Sequence, residues 1–134
     1  MAIIPDGHQD LLRRSLFGHL ATIRPDGAVQ SNPVWYVWDG ELVKFSFSTK
    51  SQKHRNIAAA PHVSLSIQDP DDAYRYLEVR GEVVDIADDL NNGEFFMHLN
   101  ARYDGPFDKS LYPEHGGIYS MRPTKISHQG ASRA

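Results

Sequence analysis

Between Leu42 and Thr49 the chain reads LVKFSFST, and this strict alternation commits the segment to pleated sheet. Leu42, Lys44, Ser46 and Ser48 fall on one face, and Val43, Phe45, Phe47 and Thr49 on the other, so one side has to meet apolar packing. HVSLSI repeats the pattern, setting Val63, Leu65 and Ile67 against polar partners. Upstream, HLATIR and AVQSNPVWYVW are rich in apolar and β-branched residues and are divided by Pro25-Asp26-Gly27, a hairpin signal. Asp39-Gly40 marks a second hairpin, and the three runs together predict a three-stranded meander. Downstream, the acidic turn DPDD leads into YRYLEVRGEVVDI, a long strand with Gly81 as its expected bulge or bend.

Helical signals are few. Residues 6–15 predict a short helix lying as a lid, after the turn-forming Pro5-Asp6-Gly7 and with two arginines in its last turn. KSQKHRNIAAAP breaks the β pattern, and its three alanines ahead of Pro61 predict a short helix that stops where proline forbids continuation. Leu90, Phe95, Phe96 and Leu99 recur at helical spacing, with Tyr103 one turn on, so 88–103 is expected as an amphipathic helix. Residues 104–116 read as loop, and GIYSMRPTKISHQ as a last strand that Pro123 confines to an edge or bend. Six strands and about three helices in this order suggest a mainly β fold, a closed or split antiparallel barrel with helices over its openings.

The chain's 134 residues suit one domain over 1–134 with one core. With 40% apolar and 23% charged residues and a net charge of −3, the composition is that of a soluble globular protein, not of a nucleic-acid binder. No run of apolar residues is long enough to span a bilayer, so the expectation is a cytoplasmic protein with no membrane partner. The absence of cysteine excludes disulfides, thiolate nucleophiles and cysteine-bound metal. Seven histidines lie scattered without HExxH or paired-ligand spacing, and no metal site is predicted. Neither GxGxxG, nor GxxxxGK[ST], nor GxSxG occurs, which removes the Rossmann, P-loop and serine-elbow chemistries.

One charge pattern carries chemistry. From Leu42 to Gln68 there is no acidic residue, whereas Lys44, Lys50, Lys53 and Arg55 are basic. Lys50, Ser51, Lys53, His54 and Arg55 gather at a strand-to-helix junction, where free backbone N–H groups and the helix dipole favour an anion such as phosphate. Thr49 and Ser51 add hydroxyl donors. On an ideal helix Lys50 and Lys53 share a face, while Arg55 is turned roughly 200° from Lys53, so Lys53 is the first candidate for a phosphate ligand. A solvated basic helix face is the competing reading. In SNPVWYVWDG, Asn32 and Pro33 interrupt pairing, which frees backbone groups for a heterocycle that Trp35, Tyr36 and Trp38 could surround; core or interface packing is the alternative there. Tyr74-Arg75-Tyr76 beside the DPDD turn suits an interface or a ligand rim.

Three segments together, LATIRPDGAVQSNPVWYVWDGELVKFSFST, KHRNIAAAPHVSLSI and YLEVRGEVV, resemble the pyridoxamine 5′-phosphate oxidase-like split-barrel superfamily. Within it the chain is most similar to the short, single-domain deazaflavin (F420)-dependent oxidoreductases of the B group, where KxRN followed by alanines, a proline and a strand is typical. The resemblance implies an FMN-binding type of six-stranded split β-barrel, a homodimer with two cofactor sites, each built from both subunits. It implies that Lys53 holds the cofactor phosphate with Ser48, Thr49, Lys50 and Ser51 nearby, that Arg55 and Asn56 brace the loop, and that Asn32, Pro33 and Val34 lie against the ring. Ser51 stands where relatives often carry a second basic residue. The implied activity is hydride transfer between coenzyme F420 and a small unsaturated or conjugated substrate, with no named catalytic side chain, because the hard chemistry belongs to the cofactor. An FMN-dependent oxidase or reductase and a non-catalytic cofactor-binding protein are the alternatives. The acid-free basic window favours F420, whose phosphodiester and acidic polyglutamate tail extend beyond one phosphate.

Overall fold

The computed structural model describes residues 2–108 and 115–133. Seven strands form one antiparallel sheet: β1 (Gly18–Ile23), β2 (Val29–Val34), β3 (Val37–Trp38), β4 (Val43–Ser48), β5 (His62–Asp69), β6 (Asp72–Asp88) and β7 (Gly116–Gln129), in spatial order β2-β1-β5-β6-β7-β4-β3. Both hairpin signals are realised. Gly27 and Gly40 take φ of 87° and 97°, which only glycine adopts without strain, and the Asp26 and Asp39 carboxylates accept amides just ahead of them in the chain.

The meander is not formed. β2 pairs with β1, whereas β3 pairs with β4 at the opposite edge of the sheet, so AVQSNPVWYVW is two strands separated by Trp35 and Tyr36. This break raises the expected six strands to seven. It also forces the sheet to curl: seven strands laid flat would hold their edges about 29 Å apart, while the three peptide links from Val34 to Val37 reach at most about 11 Å. The two edges therefore face each other across a seam, giving a split barrel. Tyr36 fills that seam with no exposed surface, its hydroxyl donating to the Leu11 carbonyl at 2.6 Å.

The core inside the curl is built from alternate residues of the strands, among them Leu20, Phe45, Leu65, Ile67, Leu77, Val79 and Tyr119. The expected N-terminal helix is a 3-10 turn, Asp6–His8, followed by the single turn α1 (Asp10–Arg13), whose Leu11 and Leu12 are wholly buried against the core. Helix α2 (Gln52–Ala59) begins at the Ser51 cap and ends ahead of Pro61 as its sequence requires. Helix α3 (Leu90–Arg102) matches the amphipathic segment. The ladder of β6 against β7 shifts register between Arg80 and Gly81, the expected bulge. Of the loop expected over 104–116, residues 109–114 lie outside the described residues.

Arg75 corrects one expectation. It lies not at a rim but fully buried, bonded to Asp10 at 2.6 Å, to Asp69 at 3.0 Å and to the carbonyls of Gly7 and Ala131. A strand residue three places beyond the acidic turn has Asp69 of that turn within reach, and burial makes the pairing obligatory. Tyr74, next to it, is exposed.

Candidate functional site

Beside the seam a cleft of about 320 Å³ opens between the end of β2, the strand β4, and the helices α2 and α3. Pro33 and Val34 enter it from β2, Ser46 from β4 and Lys53 from α2. The remaining wall is aromatic and apolar: Phe17, Trp35, Phe96, Leu99 and Phe107. Trp35 is the centre of this wall. Its indole stacks on Tyr103 with centroids 5.0 Å apart and planes 9° from parallel, with Phe96 at 6.4 Å and Phe107 edge-on at 6.2 Å. The loop that carries Phe107 is tied to α3 through Asn100, which donates to the Phe107 carbonyl at 2.8 Å. The Tyr103 hydroxyl holds the seam by donating to the Leu16 carbonyl and accepting the Tyr36 amide.

Among the described residues, Lys53 is the only cation lining the cleft. Its ammonium sits 4.8 Å from the centre of the Phe47 ring, and among the described residues it has no hydrogen-bond acceptor and no carboxylate partner. Burial alone pushes its pKa down, since the charged form loses hydration and nothing nearby compensates. A half-buried, unpaired ammonium facing a cleft is short of an anion. The first amides of α2, at Gln52 and Lys53, have no partner within the helix and lie at its positive end.

The other sequence-derived site residues divide sharply. Pro33 and Val34 join Lys53 in the cleft. Asn32 accepts the Gln30 side-chain amide at 2.8 Å on β2. Ser48, Thr49 and Ser51 form the turn from β4 into α2, and their hydroxyls have work within it: that of Ser48 accepts the Lys50 amide, that of Thr49 donates to the His115 carbonyl, and that of Ser51 caps the His54 amide. Lys50 is exposed. Arg55 folds back on the turn, donating to the Lys50 carbonyl at 3.0 Å and to Gln52, on the side away from Lys53 that helix geometry requires. Asn56 is wholly buried, donating to Thr22 and Gln30 and accepting from Gln52.

Tyr36 belongs to the core and Trp38 packs against it beneath Arg13, so of the three aromatic residues in SNPVWYVWDG only Trp35 reaches the cleft. Sequence reasoning passed over Phe17, Ser46, Phe96, Leu99 and Phe107 as cleft residues. The apolar ones read as ordinary core in the sequence, and only the tertiary fold gathers all five around one cleft with Lys53. Among the described residues no group of histidines and acidic side chains could hold a metal ion, and no helix is long and apolar enough to cross a membrane.

Comparison with known proteins places this geometry. The family model for pyridoxamine 5′-phosphate oxidase matches residues 4–129. A solved F420 reductase is 50% identical, with a TM-score of 0.87 over 92% of this chain and 98% of that one. A conserved hypothetical protein of Mycobacterium tuberculosis aligns over 96% of this chain and 89% of its own at 24% identity and a TM-score of 0.70. General Stress Protein 26 of Bacillus anthracis aligns over 92% of each chain at 18% identity and a TM-score of 0.67. The last two share the fold. No curated protein matches the chain. The matched span takes in the seam, the cleft and the turn into α2, and the chain belongs to the pyridoxamine 5′-phosphate oxidase family, beside the F420 reductase with which it shares half of its residues.

Proposed function

We propose that this protein is an F420-dependent oxidoreductase, transferring a hydride between the deazaflavin coenzyme and a small unsaturated or conjugated substrate. The observation that carries the reading is the unpaired Lys53 ammonium in a cleft otherwise lined mostly by aromatic and apolar side chains. Such a cleft suits a planar ring system that bears a phosphate, and half of the residues are shared with a protein named an F420 reductase. Lys53 would hold the phosphate, with the α2 amides at its side, while Pro33, Val34 and Trp35 would lie against the ring. When bound, the coenzyme supplies the hydride.

The chain's own residues bind, orient and exclude water. Trp35, Phe96 and Phe107 present flat apolar faces that desolvate a conjugated molecule, and the Asn100 and Tyr103 hydrogen bonds keep those faces in place. The working unit we propose is a homodimer whose second subunit completes each site.

Titration of wild type and Lys53→Ala with F420 and with FMN tests the reading. Losing one charge-assisted hydrogen bond, about 1.5 to 3 kcal/mol, weakens F420 binding roughly tenfold to over a hundredfold while fold is retained. Equal F420 affinities in both proteins would remove the phosphate site. A protein that purifies with FMN, or binds it more tightly than F420, would make this an FMN enzyme. Tight binding without turnover of any reducible substrate would make it a carrier.

A further inference from the structure

We infer that Phe47 is a positioning residue that aims the Lys53 ammonium at the cleft without neutralising it. The inference rests on the reading of Lys53 as the phosphate ligand of the coenzyme. A lysine side chain has four rotatable bonds, and an ammonium that has to be collected from many rotamers binds an anion more weakly than one already in place. The usual anchor for a lysine is a carboxylate, which would cancel the charge the site needs. Here the anchor is a ring face: Lys53 Nζ lies 4.8 Å from the centre of Phe47, attracted to the π cloud, which holds the ammonium without cancelling its charge.

The ring is itself held from behind. Phe47 stacks on Tyr119 with centroids 3.9 Å apart and planes 20° from parallel. The Tyr119 hydroxyl, fully buried, is 2.8 Å from His54 Nδ1. His54 adjoins Lys53 on α2, so two neighbouring side chains of one helix grip the two ends of the same aromatic pair. The geometry therefore closes on itself: Lys53, Phe47, Tyr119, His54 and back to α2. Room for the pair depends on Gly117, where a Cβ would stand 2.8 Å from Thr49 and 2.9 Å from the Tyr119 ring. None of these supports carries an acidic group, in keeping with the acid-free window from Leu42 to Gln68.

Two measurements test the inference. The first labels the lysines with 13C-methyl groups and reads them by NMR. A methyl held over an aromatic face is shifted upfield, so wild type is expected to show one such lysine resonance, absent from Phe47→Leu and from Lys53→Arg. The second titrates F420 into the full-length variants. Phe47→Leu keeps apolar bulk and loses the ring, and is expected to weaken binding about threefold to tenfold, whereas Phe47→Tyr keeps the ring and stays within about twofold of wild type. A merely structural role for Phe47 would not separate leucine from tyrosine in this way. The inference is overturned by a wild-type spectrum with no upfield lysine signal, or by Phe47→Leu binding F420 as tightly as wild type. If wild type does not bind F420 at all, the proposed function fails, and the resonance decides the inference alone. It decides alone equally if Phe47→Leu does not fold.

Discussion

Lys53 carries a half-buried charge with no carboxylate beside it among the described residues. Its pKa lies below the ordinary lysine value of 10.5 because the folded protein strips water from the ammonium. As pH rises, the folded state therefore releases this proton before the unfolded chain does, and between the two values stability increases with pH. The proposed binding of F420 runs the opposite way, because its phosphate needs the charge. Affinity for F420 is expected to be level near neutrality and to fall at a pH below 10.5, and titrations across alkaline pH check this. In Lys53→Ala the fall should vanish. Asn56 is the complementary case, wholly buried and holding three hydrogen bonds to Thr22, Gln30 and Gln52. Asn56→Ala leaves the buried Thr22 hydroxyl without its donor, while Gln30 keeps Arg24 and Asn32, and chemical denaturation should read a loss of about 1 to 3 kcal/mol. Asn56 does not line the cleft; it ties α2 to β1 and β2.

At the scale of elements, two clamps connect parts of the chain that secondary structure alone does not join. Arg75 on β6 binds Asp10 of α1, Asp69 at the end of β5 and the carbonyls of Gly7 and Ala131, so the N-terminal lid, the β5–β6 hairpin and the C-terminal segment meet at one guanidinium. Arg75→Met takes from buried Asp69 its buried cation, leaving only the partly exposed Arg14 at 3.4 Å, and should cost about 3 to 5 kcal/mol, measured by denaturant unfolding. The same clamp sets an acid limit. The Arg75 hydrogen bonds hold the Asp10 carboxyl below 3.8, and the Asp71 amide, followed by Arg75, does the same for Asp69. Their contribution is complete above about pH 4 and is lost as pH falls through those lowered values, so wild type should lose stability there more steeply than Arg75→Met. The second clamp is Arg102, which caps α1 by donating to the carbonyls of Leu12, Arg13 and Arg14 and also reaches the Tyr36 carbonyl in the seam.

For the whole molecule, the curled sheet leaves apolar side chains on its outer surface, Val29, Val84 and Ile86 among them. A second copy of the chain is the cover we expect, in a two-fold dimer with both cofactor sites at the interface. Light scattering on the purified protein should give a mass twice that of the 134-residue chain, independent of concentration in the micromolar range. A monomer at those concentrations would remove the shared-site arrangement and leave each cleft to work within one chain.

Local signals in the sequence determined most of the elements. Alternation marked β4 and β5, turn residues marked both hairpins, the alanines and Pro61 bounded α2, and Gly81 marked the bulge, because each depends on neighbours within a few residues. The acid-free window likewise drew attention to Lys44, Lys50, Lys53 and Arg55 together, but sequence distance is not spatial distance: Lys44 meets Asp39 at 3.7 Å, and only the fold leaves Lys53 lining a cleft. Tertiary structure decided the rest. Nothing local says that Trp35 and Tyr36 cross from one edge of a sheet to the other, because that crossing is set by which strands find each other across the barrel. Nor does sequence distinguish an arginine that salt-bridges inside the core from one at a rim, as Arg75 shows. The aromatic wall of the cleft follows the same logic. Phe17, Trp35, Phe96 and Phe107 come from four separated places in the chain, and only the closure of the sheet and the packing of α3 against the seam bring their faces together opposite Lys53.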